Sequence, residues 1–167
     1  MAYTSKVRQY VENDRLLTKT GGIHVTGTIA AGATKTLDNV NNAGKTVLLD
    51  TAAGSVVTLP AATGSQVEYT FVVSTLATSN SHKIQVANAS DIMVGKIAQI
   101  DTDSSDAIAF FATTSTSDTI TLNRSTTGSV RLGETITVKD VATNRWLVDG
   151  MTCITGSGIT PFSAAVS

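Results

Sequence analysis

The sequence predicts an all-β protein. The expected form is an antiparallel β-sandwich, jelly-roll-like or barrel body behind a non-globular N-terminal arm. Three observations predict it. Val67, Tyr69, Phe71 and Val73 alternate with Glu68, Thr70 and Ser74, which is the period-two pattern of a half-buried strand. The same grammar recurs to the C-terminus with no long helix-period segment between strands, so a parallel sheet wound through crossover helices is not expected. Charged residues are only 15% of the chain, and Thr and Ser take their place. Thr is β-branched and suits the wet face of a sheet better than a helix.

A length of 167 residues fits one body with an appendage. We expect residues 1–33 to form an arm and joint, and residues 34–167 to form the body. Lys6, Arg8, Glu12, Asp14, Arg15 and Lys19 crowd the arm, with Val7, Tyr10, Val11, Leu16 and Leu17 among them at partly helical spacing. Thr4 or Ser5 can cap a short helix there. A helix this short is marginal alone, and wet Tyr10, Leu16 and Leu17 are unfavourable. An arm that orders on a partner surface is therefore expected. Gly21-Gly22 ends that pattern, and Ile23, Val25 and Ile29 then alternate with His24, Thr26 and Thr28 as a strand. Ala30 to Ala33 reads as a small-residue joint.

In the body, strands are expected over 35–38, 46–50, 55–59, 67–74, 83–87, 96–100, 107–112, 119–123, 129–132, 134–140 and 145–149. Turn chemistry separates them, as at Asn42-Ala-Gly44, Ala53-Gly54, Thr63-Gly64 and Thr127-Gly128. Phase places Val47, Leu49, Val57, Leu59, Tyr69, Phe71, Val73, Ile84, Val86, Ile97, Ile108, Phe110, Ile120, Leu122, Ile136, Val138, Trp146 and Val148 inside. The Trp146 indole N–H is expected to find a partner.

The formal net charge is −1, so no basic excess draws the chain to nucleic acid or to an anionic membrane. No run approaches the roughly 18 apolar residues of a membrane span, and the opening residues lack an apolar core of signal-peptide length. A soluble chain made in the cytoplasm is expected. A lone cysteine, Cys153, cannot staple the fold and reads as a small buried hydrophobe.

Chemical motifs are few. Gly44-Lys45-Thr46 mimics the end of a phosphate-binding loop, but Asn39 stands where its first glycine belongs and a strand follows instead of a helix. Asp101, Asp103 and Asp106 form an acidic cluster, with Asp91, Asp118 and Asp140 elsewhere. An EF-hand beginning at Asp101 needs Gly and Glu where Asp106 and Ala112 stand, so a solvated loop is expected. His24 and His82 are expected at the surface without catalytic duty, since neither has an evident partner. No catalytic, cofactor-binding or metal-binding residues are assigned, and an enzyme is not expected.

The run Thr58-Leu-Pro-Ala-Ala62, then Gly64, then Tyr69-Thr-Phe-Val-Val73, resembles a pattern found in virion proteins of tailed bacteriophages. Ile84-x-Val-Ala-x-x-x-Asp-Ile-Met-Val-Gly95 and Ile136-x-Val-x-Asp140 followed by Trp146-Leu-Val-Asp-Gly150 belong to the same pattern. These are head decoration (cement) proteins, head fibres and small structural proteins, and the resemblance covers roughly residues 34 to 150. It implies a homotrimer on the outer capsid surface that clamps neighbouring copies of the major capsid protein. Capsid contact then falls to Tyr3, Lys6, Arg8, Tyr10, Arg15, Leu16 and Leu17, and trimer contact to Ala30, Ala31 and Ala33. Two rival readings are a head-fibre or tail-associated module that holds a host surface glycan, and a glycan hydrolase using Asp101, Asp103 and Asp106.

Overall fold

A computed structural model describes residues 11–12, 15–16, 27–103 and 107–166. It is all-β, with two mixed sheets packed face to face. Strands β1 (Val11–Glu12) and β2 (Arg15–Leu16) form a separate two-stranded ladder. The backbone at these four positions is therefore extended, where their spacing suggested a helix. The body strands are β3 (Thr28–Ala30), β4 (Thr34–Thr36), β5 (Thr46–Leu49), β6 (Val56–Thr58), β7 (Glu68–Val73), β8 (His82–Gln85) and β9 (Ile92–Asp101). They continue with β10 (Ile108–Ala112), β11 (Thr119–Leu122), β12 (Thr135–Ala142), β13 (Arg145–Ile154) and β14 (Phe162–Ser163). One sheet has the order β10-β9-β13-β12-β7-β5-β3, and the facing sheet β14-β11-β8-β6-β4.

The expected antiparallel pairing holds for only part of this body. Strands β3, β5 and β7 run parallel in one sheet, and β4, β6 and β8 run parallel in the other. Parallel neighbours need a crossover connection. Here each crossover is a strand of the facing sheet, so the chain coils between sheets without a helix. The residues that turn it are small. Gly32 and Gly54 take φ of +60° and +96° at two of these crossings, a region that glycine enters at no steric cost. Polar bonds tie successive crossings together. Gly32 N–H donates to Asp50 Oδ1 at 2.8 Å, and Ser55 N–H donates to His82 Nδ1 at 3.0 Å.

Two boundaries move as a result. Thr28–Ala30 pairs with Thr46–Leu48 inside the large sheet, so the body includes residues assigned to the arm and joint. The Ala30–Ala33 segment is the first crossing between sheets. Ser129–Leu132 is a turn, not a strand, because the Glu134 carboxylate captures the N–H groups of Ser129, Val130 and Arg131. β14 was not anticipated; its two residues pair with β11.

The core lies between the sheets and includes every residue expected there except Ile108 and Phe110. Trp146 and Tyr69 pack with ring centroids 6.0 Å apart. The Trp146 indole N–H is buried without a partner, contrary to expectation. An unmet buried donor costs about 1–3 kcal/mol, set here against close packing of the largest side chain in the core.

Candidate functional site

Most polar side chains singled out in the sequence hold the backbone in place. Asp140 is fully buried. It accepts N–H bonds from Thr63, Gly64 and Ser65 at 3.0, 2.7 and 2.9 Å, and hydroxyl bonds from Thr63 and Ser65. Burial pushes this carboxyl up, but the Ser65 hydroxyl and the three N–H groups outweigh burial and hold it below the usual range. Asp91 accepts from Ala62 N–H and Asn88. Asp118 binds Ala165 and Val166 N–H and so fastens the C-terminal segment. Asp101 accepts from Asp103 N–H, and Asp103 from Gly156 N–H. Asp106 lies outside the described residues. No group of three metal-binding side chains gathers among the described residues.

His82 is buried, not at the surface as expected. Nδ1 accepts from Ser55, and Nε2 lies 2.8 Å from the Thr75 carbonyl, which fixes the neutral tautomer protonated at Nε2. Burial pushes the ring below its usual value, against the opposing pull of the Thr75 carbonyl and the Asp50 charge. His24 lies outside the described residues. Cys153 is half-buried, and burial together with the Glu134 charge raises its thiol, which disfavours the nucleophilic thiolate. Glu134 is itself pushed up by burial, with the N–H groups of Arg131, Ser129 and Val130 pulling the other way.

The feature that sequence phase missed is on the outside. Strand β10 has apolar residues on both phases, Ile108 and Phe110 against Ala109 and Phe111. Pattern alone cannot choose its inner face. The register against β9 chooses: Phe111 stands beside buried Ile97 and Ala109 beside buried Gln99. Phe111 therefore packs on the core, while Ile108 and Phe110 turn outward at 59% and 69% exposure.

Their neighbours on that face extend the apolar surface. Phe110 stands beside Ala98 on β9, and Ala98 beside Met151 on β13. Ile108 stands beside Ile100, and Ile100 beside Cys153. Leu147 and Met151 are exposed on the outward phase of β13. They were legible as apolar residues on a phase whose partners are polar. The face forms an open groove of about 590 Å³ across β10, β9, β13 and β12. Its charges are matched within the chain: Lys96 Nζ lies 3.2 Å from Asp149, and Lys139 stands opposite Glu68 in the register. An apolar, charge-balanced sheet face is a surface suited to protein contact.

The residues expected to touch a capsid divide in two. Tyr3, Lys6, Arg8, Tyr10 and Leu17 lie outside the described residues, while Arg15 and Leu16 form β2. Of the residues expected at a trimer contact, Ala30 and Ala33 are exposed. Ala31 is buried in its own chain's core, with its N–H bonded to Leu48, so its side chain is not available to a partner. Comparison with protein-family models, curated proteins and solved structures finds no match.

Proposed function

We propose that this chain is a structural protein of a tailed-bacteriophage particle, bound to the outer capsid surface as a trimer, where it cements neighbouring capsomers. The reading starts from the sequence resemblance over residues 34 to 150. The observation that carries it furthest is the outward face of the large sheet, apolar at Ile108, Phe110, Leu147 and Met151, with Lys96 paired to Asp149. Such a face can join protein to protein without desolvating unpaired ions. The buried aspartates support the same reading from the other side, since each holds a loop closed. A rigid body carrying a charged, partly apolar arm suits a clamp. The arm binds weakly by itself and gains strength when several copies act together.

Expanded capsid shells that lack this protein provide the test. The full chain should sediment with them and appear as density on the outer surface. A chain missing residues 1–20 should stay folded, with an unchanged melting temperature, and remain in the supernatant. Retained binding by the shortened chain overturns the anchoring role. Binding to tails in place of shells overturns the capsid assignment. The glycan-binding alternative draws on Phe110, the one aromatic among the exposed large hydrophobic residues described. A row of such rings would suit it better.

A further inference from the structure

We propose that strand β10 is an interface between two copies of this chain, which join edge to edge as an antiparallel pair about a two-fold axis at Phe110. This inference goes beyond the capsid reading and does not depend on it.

The backbone supplies the first reason. Asp101 N–H donates to Ala107 O, and Thr113 N–H donates to Gly95 O. In an antiparallel ladder such bonded positions recur every second residue. Residues 107, 109, 111 and 113 therefore turn toward β9, and Ile108, Phe110 and Ala112 turn their N–H and C=O outward. Among the described residues no strand lies beyond them.

The other sheet edges supply the second reason. β3 and β4 have three residues each and β14 has two; β4 also carries Lys35. Short or charged edges resist pairing. β10 has five residues, Ile-Ala-Phe-Phe-Ala, without charge, glycine or proline. It is the one described edge with a composition that favours pairing, and its outer side chains are apolar.

Register and charge then select the occupant. A two-fold axis at Phe110 sets Phe110 against Phe110 of the other copy and Ile108 against its Ala112. All the outward N–H and C=O groups of β10 are then satisfied. A parallel pair sets like ends of β10 together, with Asp103 toward its own copy, whereas the antiparallel pair sets that end toward the uncharged run Thr113–Ser117. On the adjoining face Lys96 is paired with Asp149 of its own copy, which lessens like-charge repulsion between copies. The two apolar faces become one surface across the seam. Ala30 and Ala33 lie by the opposite edge of the same sheet, so a contact there and one at β10 can coexist.

Light scattering on the full chain, with Phe110→Lys beside it, tests the proposal. The wild-type mass should correspond to an even number of chains, and the variant should show half that mass with an unchanged melting curve. Phe110→Cys in a Cys153→Ser background should yield a covalent dimer with a short thiol-to-thiol cross-linker, whereas Val40→Cys should not. Phe110→Pro, which removes an outward N–H and no bond to β9, should also halve the mass. If Phe110→Lys misfolds, the cross-link and the proline variant still decide. A wild-type monomer, an unchanged mass in the variants, or no cross-link through position 110 overturns the proposal. Slow amide exchange at Ile108 and Phe110 in a monomer also overturns it, and assigns the edge to another segment of the same chain.

Discussion

Asp140 joins two parts of the chain that are far apart in sequence. Its carboxylate meets the N–H groups of three successive residues at the Thr63–Ser65 turn, and few other side chains can accept so many donors at once. Removing it takes away the acceptor that these donors share. Asp140→Ala should cost about 1–3 kcal/mol of stability, measured by denaturant unfolding, because the turn loses its bonds to a buried carboxylate while water can reach the exposed Thr63 and Ser65. A loss below about 0.5 kcal/mol would mean that the turn is held by something else. The aspartates were visible in the sequence, but their partners were not. The bonds span more than seventy positions, and nothing local marks which turn a carboxylate will reach.

Strand β9 shows why elements are harder to delimit than to detect. Its observed span, Ile92–Asp101, is twice the expected 96–100, because the strand runs on through Gly95, a residue that usually weakens a strand interior. In the fold Gly95 is needed within the strand. It holds φ at +142°, and an added Cβ would sit 1.9 Å from the Val148 carbonyl oxygen of β13. Gly95→Ala should therefore force β9 and β13 apart and cost more than about 3 kcal/mol. A circular dichroism melt within a few degrees of wild type would refute that. Strand β10 makes the companion point about phase. Ile108, Phe110 and Phe111 announce a strand, but only pairing with β9 says which side faces in.

At the scale of the molecule, stability should depend on pH through groups whose surroundings differ between folded and unfolded chains. His82 is held below its usual 6.5 in the folded state. Its contribution is therefore complete above 6.5 and declines as pH falls below it, because the unfolded chain takes up the proton first. Asp140, held below its usual 3.8, contributes fully above that value and loses its contribution as pH falls through the folded one. Glu134 has the opposite sign: held above its usual 4.5, it favours folding at low pH and weakens as pH rises through its folded value. Through His82, melting temperature should fall between pH 7 and pH 5 in the wild type, offset in part by Glu134 as it takes up its proton. His82→Gln, less stable overall, should show a flatter profile over that range. Parallel profiles for the two would exclude His82 as the source.

The sequence by itself determined the strand content, most strand positions and nearly all of the core. Those follow from alternation and turn residues, which act over a few positions. The tertiary structure decided the rest. Parallel pairing through the facing sheet, the burial of His82 and Ala31, and the outward turn of Ile108 and Phe110 all depend on which distant strand becomes a neighbour. Alternation marks the two faces of a strand, but only the packed sheets decide which face meets the core and which is left for a partner.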